Sequence, residues 1–306
     1  MSTAPPALDF FWAEITGKCQ LACTHCYAGS GPDGTHGAMT ATEWAAAITQ
    51  ARALGARMVQ FIGGEPTLHP DLPTLIAHAL GDGLQVEVYT NLVHVTPSLW
   101  DVFAQPKVML ATSYYTDDPD QHQQITQRRT HHRTHTNIGR AIALGIPIRA
   151  GIIDIHDGQH VEQAKQQLAR LGVTDISVDR MRLLGRPARQ SCDVSQLCGR
   201  CGDGIAAILP DGTVTPCPLS RWLSAGNIRE TGLTSLVGAA YQLSHEQILP
   251  AVTAAGAWPC EPNCNPGCAP GMQKPDNCHP KGSCNPTKPP DPQCTPTFKC
   301  APTKKK

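Results

Sequence analysis

Leu8-Asp-Phe-Phe-Trp-Ala-Glu-Ile15 runs through Thr-Gly-Lys into Cys19-Gln-Leu-Ala-Cys23-Thr-His-Cys26-Tyr27, and this stretch decides how the rest of the chain is read. Its first part is an apolar run that predicts a β-strand. Its second part holds three cysteines close enough to bind one metal cluster. An ordinary iron–sulfur cube takes four thiolates, so three leave one metal position open. An open position separates a reactive site from a structural one. The same C-x3-C-x2-C spacing also suits a zinc knuckle, with His25 or a distant residue as fourth ligand.

Outward from this stretch, residues 8 to about 187 alternate short β-rich runs with helical segments. Strands are predicted at Leu8–Ile15, Met58–Ile62, Val86–Tyr89, Val108–Ser113, Ile148–Ile153 and Ile176–Val178. A helix is predicted from Thr40 to Leu54: Thr40 and Glu43 form a capping box, Trp44, Ile48 and Ala51 share a face, and Gly55 closes it. Others start near Pro70-Asp71, cover Ile138 to Leu144, and cover Val161 to Leu171, each ending before a glycine. Six β–α alternations imply an α/β fold with a parallel sheet, closed or partly closed into a barrel. Active sites of such barrels lie on the loops after the strands. The cysteine triplet follows strand one, Gly63-Gly64-Glu65-Pro66 strand two and Thr90-Asn91 strand three, and Ser113 ends strand four.

The triplet with its following Tyr27, joined by Gly63-Gly64-Glu65-Pro66, resembles the two hallmarks of the radical S-adenosylmethionine (radical SAM) enzymes. The resemblance implies a partial (β/α)6 TIM-like barrel over residues 1–187. It implies that Cys19, Cys23 and Cys26 hold a [4Fe–4S] cluster whose fourth iron is chelated by SAM. One electron from that cluster would break a C–S bond of SAM, releasing a 5′-deoxyadenosyl radical that takes a substrate hydrogen. Tyr27, Gly63, Gly64, Glu65, Pro66, Thr90, Asn91, Ser113 and Arg180 are the implied cofactor-binding residues. Glu65 would meet the ammonium of SAM, and Arg149 or Arg180 its carboxylate. No residue is singled out as catalytic. The segment from Tyr114 to His135, with four of the 13 histidines, is expected to be a solvated loop at the barrel mouth that contacts substrate.

After Gly185-Arg186 the composition shifts toward cysteine, with four cysteines from 192 to 217 and seven from 260 to 300. Two apolar runs flank Pro210-Asp211-Gly212, a strong turn signal, and predict a hairpin. That hairpin would bring Cys201 and Cys217 together, where Cys198 could join them. It resembles the SPASM/twitch extension of radical SAM enzymes, which implies a small Cys-rich Fe–S domain over 188–272 with at least one auxiliary [4Fe–4S] cluster. Its ligands would come from Cys201, Cys217, Cys260, Cys264 and Cys268, although Cys260-x3-Cys264-x3-Cys268 departs from the C-x2-C-x5-C-x3-C of that extension. A zinc ribbon is the alternative use of the same thiolates. Every cysteine from 260 onward is followed by any residue and then proline, which discourages regular structure. The stretch 273–306 is therefore expected to stay extended, its closing Lys304-Lys305-Lys306 solvated.

Composition narrows the function further. The 306 residues carry 25 basic and 25 acidic side chains, so no global field argues for nucleic acid. No run approaches the roughly 18 apolar residues of a membrane span. With 14 cysteines and no visible signal peptide, the expected location is the cytoplasm, with cysteines as metal or redox groups. Extensions of this type imply a peptide maturase acting on a ribosomally made precursor peptide by crosslinking, epimerisation or oxidation. An electron donor such as flavodoxin or ferredoxin would serve it. The alternatives are a radical SAM dehydrogenase or epimerase of a small molecule such as an aminosugar, and a non-catalytic zinc-stabilised binding module. Only seven residues precede the first predicted strand, so no separate peptide-binding domain is expected there.

Overall fold

The computed structural model describes residues 7–188 and 193–254. Six strands succeed one another in parallel: β1 (Phe10–Thr16), β2 (Met58–Gly63), β3 (Gln85–Tyr89), β4 (Val108–Tyr114), β5 (Ile148–Asp154) and β6 (Asp175–Arg180). Each pairs with the next. Three more strands, β7 (Ile205–Ile208), β8 (Thr213–Thr215) and β9 (Gly226–Asn227), continue the sheet on the free side of β1. The order β6-β5-β4-β3-β2-β1-β7-β8-β9 leaves the barrel partial. The predicted hairpin is therefore not a detached unit. β7 pairs parallel to β1, and only β8 turns back antiparallel around Pro210-Asp211-Gly212.

Strand alternation sorts the side chains into two layers. On β1, Phe11, Ala13 and Ile15 join the large core beneath the helices, while Phe10 and Trp12 belong to a smaller inner cluster that includes Cys201 and Cys217. The inner face turns polar partway along. Glu14, Gln60, Glu87 and Arg149 are all buried there. Arg149 donates from Nε to Glu87 Oε1 at 2.9 Å and from Nη2 to Oε2 at 2.8 Å, and Gln60 Nε2 donates to the same carboxylate. Buried charge persists only when paired in this way.

The helices are α1 (Ala41–Ala53), α2 (Leu72–Gly81), α3 (Pro97–Phe103), α4 (Pro119–Thr126), α5 (His131–Ala143), α6 (Val161–Leu171), α7 (Leu233–Leu243) and α8 (Leu249–Ala254). In α1 the Thr40 hydroxyl accepts from Glu43 N–H while the Glu43 carboxylate accepts from Thr40 N–H, as the capping box requires. α3 does not appear in the sequence reading. Thr96 caps it, Pro97 opens it, and Leu99, Trp100 and Phe103 are buried.

The segment 114–135 is the main correction. It is not a solvated loop but α4 and the start of α5. His122 is 2% exposed and His131 8%. His131 meets the Tyr114 hydroxyl at 2.9 Å. These helices bury short polar side chains, so an apolar count misses them.

Two-ended pinning holds the late strands to the early ones. The Glu14 carboxylate on β1, 1% exposed, accepts from Arg221 Nη1 beyond the hairpin. Burial pushes the Glu14 carboxyl above its ordinary value of 4.5, and Arg221 opposes that rise. Arg221→Ala leaves the carboxylate buried and unpaired, at an expected cost of about 3–5 kcal/mol. A raised folded pKa means that the folded chain holds the proton more tightly than the unfolded chain. Stability then falls as pH rises above the ordinary carboxylate value. The deficit of Arg221→Ala relative to wild type should accordingly shrink from pH 8 toward pH 5 in urea denaturation; a deficit that widens on acidification contradicts the pairing.

Candidate functional site

The cysteine loop leaves β1 at an irregularity. Glu14 pairs with Ile62 but Thr16 with Gly63, so one residue is extra where the strand ends. The Thr16 hydroxyl accepts from Lys18 N–H at 2.9 Å, and Cys19 N–H donates to Gly31 O at 3.0 Å. Three other segments brace the loop from outside.

The first brace is the glycine pair. Gly64 N–H donates to Thr16 O at 2.7 Å and Glu65 N–H to Lys18 O at 2.8 Å. A Cβ on Gly64 would stand 2.4 Å from Lys18 O and 2.9 Å from Cys19 Cβ. Glycine is needed here for close approach. The second brace is the end of α4, where Ile125 O accepts from Thr24 N–H at 2.9 Å and Thr126 O from Ala22 N–H at 3.2 Å. The third is Gly185-Arg186. Arg186 donates its backbone N–H to Cys26 O at 2.9 Å, and its guanidinium to the carbonyls of Cys23, Gly29 and Ser30. In the sequence Gly185-Arg186 stands out as a composition boundary at the end of the stretch that follows strand six. No local signal marks a clasp that far along the chain.

Cys19, Cys23 and Cys26 line one cavity of about 190 Å³. Gly63, Gly64, Asn91 and Ser113 share its wall, and Tyr27, Trp12, Gln60 and Tyr89 are also in its lining. Asp179, Arg180 and Arg182 border it from β6 onward, and Pro218 and Leu219 from the segment after Cys217. Tyr89 OH lies 3.1 Å from Ser113 Oγ. Asn91 exchanges hydrogen bonds with Gln20 at 3.0 and 3.3 Å and points Nδ2 toward Cys19 Sγ at 3.7 Å. His25 also borders the cavity, and its buried Nδ1 finds no partner among the described residues.

Two expectations change. Glu65 is fully buried and does not border the cavity. Its carboxylate accepts from Thr67 N–H, the Thr67 and Thr90 hydroxyls and Asn91 N–H, at 2.7–3.0 Å. Four donors leave it tying the loops after β2 and β3 together, with Pro66 and Thr90 behind the wall. Arg149 is committed to Glu87, with its guanidinium 5.6 Å from the Tyr89 ring centre. Of the two arginines considered for a carboxylate ligand, Arg180 is the one that borders the cavity.

Burial, then the neighbouring negative groups, pushes the thiols of Cys19 and Cys23 up to about 12. Such thiols stay neutral until a cation draws the proton off. The donor set fits an iron–sulfur cluster with one open iron: three thiols from one braced loop reach a cavity large enough for a further ligand.

A second thiol group lies behind Pro218. Cys201 Sγ and Cys217 Sγ are 2.9 Å apart, both buried. Cys198 hydrogen-bonds to Cys201, and these hydrogen bonds, then burial, raise the Cys201 thiol well above its ordinary value. Cys260, Cys264, Cys268, Cys192 and the Cys-x-Pro tail lie outside the described residues.

Two protein-family models match the chain. Residues 13–170 match the radical SAM superfamily, and residues 198–269 match SPASM, an iron–sulfur cluster-binding domain. The PqqA peptide cyclase of Streptomyces rochei is 31% identical over 172 residues, covering 56% of this chain and 46% of the relative. That of Xanthomonas campestris pv. campestris is 39% identical over 93 residues, covering 30% and 23%. The chain thus spans less than half the length of these curated relatives. In fold it resembles Streptococcus suis SuiB bound to S-adenosylmethionine (TM-score 0.64, 14% identity, 80% of this chain and 68% of that one). It also resembles anSMEcpe with bound AdoMet and a peptide (TM-score 0.59, 15% identity, 81% and 84%). No helix among the described residues is long and apolar enough to cross a membrane.

Proposed function

Because the chain belongs to the radical SAM superfamily, with [4Fe–4S], SAM and SPASM cluster cofactors, we propose that it modifies a ribosomally made precursor peptide at the cavity bordered by Cys19, Cys23 and Cys26. One observation carries the reading: residues as far apart as Cys19, Gly64, Asn91, Ser113 and Arg180 border a single cavity. When bound, the cluster and SAM together supply a 5′-deoxyadenosyl radical.

The chain's own residues then bind, orient and exclude water. Cys19, Cys23 and Cys26 would hold three irons. The backbone of Gly63-Gly64, kept in place by Glu65, offers polar groups to the methionine end of SAM. Asn91, Ser113 and Arg180 would receive its ribose and carboxylate. Trp12, Tyr27 and Tyr89 supply aromatic walls that keep water from a primary carbon radical. Cys201 and Cys217, with Cys198, lie next to Pro218 at the cavity border, where they would hold an auxiliary cluster that supplies an acceptor for an electron from oxidised substrate. A peptide substrate is supported by the relatives above 30% identity, which are named for cyclising a peptide. Crosslinking, epimerisation and oxidation all suit this arrangement, in the reducing cytoplasm and with a flavodoxin or ferredoxin as electron source.

Anaerobic reconstitution with iron and sulfide, dithionite reduction and addition of SAM should yield 5′-deoxyadenosine. A peptide encoded beside the gene should change mass in the same mixture. Absence of 5′-deoxyadenosine overturns the assignment, and its formation with conversion of an aminosugar but not the peptide moves the substrate to small molecules.

A further inference from the structure

The segment that braces the cysteine loop from outside continues into an unusually basic corner. After Thr126, Gln127 takes a left-handed backbone (φ 60°), and its N–H donates to Gln123 O. The Thr126 hydroxyl donates to Arg128 O at 3.0 Å, which fixes where the turn leads. Arg128 and Arg129 follow, both exposed, and Arg133 is exposed in the first turn of α5. From residue 121 to 153 the sequence has no Asp or Glu, in a chain whose charges balance over its whole length. Among the described residues, no carboxylate stands within ion-pair distance of these three arginines. Arg129 Nε reaches only the Gln123 amide, at 2.8 Å, and Arg128 Nη1 the carbonyl of Gln127. The first turn of α5 holds no acidic residue, so Arg133 places a cation at the positive end of a helix dipole. Local stability favours the opposite sign there.

We propose that Arg128, Arg129 and Arg133 form the docking surface for a small acidic one-electron carrier protein, of the flavin or iron–sulfur kind. The carrier reduces the cluster held by the adjoining loop. This rests on the reading of Cys19, Cys23 and Cys26 as the cluster ligands. Two features favour an electron carrier over other anionic partners. The corner lies one turn of chain from Ile125 and Thr126, whose carbonyls accept from Thr24 and Ala22 on either side of Cys23. And none of the three arginines borders the cavity, where a substrate's reacting atom has to sit. An electron needs only nearness to the cluster. The step balances simply: the carrier is oxidised by one electron, the cluster is reduced by one, and no bond or proton changes hands. Complementary charge raises the encounter rate and makes it salt-sensitive.

The test uses the reconstituted holoenzyme and its Arg128→Glu, Arg129→Glu, Arg133→Glu triple variant, with an acidic flavodoxin as probe. Binding is read by surface plasmon resonance at low and high salt, and 5′-deoxyadenosine formation is driven either by reduced flavodoxin or by dithionite. The expected result is binding weakened by about tenfold or more in the variant, with flavodoxin-driven cleavage falling alongside. Dithionite-driven cleavage should stay at the wild-type rate, which also reports an intact fold. The triple Arg→Gln variant should fall between the two. Equal loss with both reductants, no loss with either, or no measurable flavodoxin binding to wild type overturns the proposal. So does a precursor peptide or a short RNA whose binding the variant abolishes while flavodoxin binding persists. Should wild type form no 5′-deoxyadenosine even with dithionite, the cluster assignment itself fails, a result separable from the binding data.

Discussion

Cys23→Ala reduces 5′-deoxyadenosine formation to that of a protein-free control, whereas Cys217→Ala still cleaves SAM but gives no modified product. The first effect should exceed about 100-fold, because removing groups that merely hydrogen-bond to metal ligands already costs 10–100-fold in affinity. Losing a thiolate outright leaves two anchors on a loop built around three. Cys217 belongs to a different set. It pairs with Cys201 at 2.9 Å and is not among the residues that line the cavity, so radical generation should not depend on it. Mass spectrometry of both products, with iron counted per chain, separates the two roles. Normal product from both variants would sink the division of labour.

Gly64→Ala should strip iron from the protein and destabilise it by about 2–4 kcal/mol, from overpacking and two strained hydrogen bonds. The added carbon would meet Lys18 O at 2.4 Å, Lys18 C at 2.6 Å and Cys19 Cβ at 2.9 Å. These atoms are backbone or the root of a ligand side chain, and no rotamer change moves them aside. Either the glycine loop retreats, breaking the hydrogen bonds to Thr16 and Lys18, or the cysteine loop is displaced. Gly81→Ala is the control, since nothing lies within 4 Å of its Cβ position. The urea midpoint and iron content of the two variants decide the matter; equal behaviour means that the brace is unimportant.

The six parallel strands are legible in the sequence because strands covered on both faces must be apolar runs. Their edges shift by one or two residues, as with Leu8–Ile15 against Phe10–Thr16. α1 is legible through its cap. α3 is short enough that only Thr96-Pro97 announces it; the second half of α5 is legible as the helix from Ile138, whereas α4 and the start of α5 hide because they bury His122, Thr126, His131 and Thr134 in place of leucines. The triplet and the glycine pair are local motifs, and so they were visible. What escaped is what distance in the chain conceals: Arg186 holding carbonyls near residue 25, and Glu65 gripping Thr90 and Asn91. The Glu87–Arg149 pair left a trace, a charge in the middle of two apolar runs, that reads as readily as a ligand. Only the coordinates tell that these charges satisfy one another.

The parallel seam between β1 and β7 has a temporal consequence. β1 begins at Phe10 and its partner at Ile205, so a ribosome adding about 5–20 residues per second leaves that flank of β1 bare for roughly 10–40 s. A nascent chain halted near residue 187 would leave β1 as an open, hydrophobic edge of its six-stranded sheet, a template for joining another copy. The strand that leads into the cysteine loop is thus covered on both sides only once the segment carrying Cys201 and Cys217 has been made.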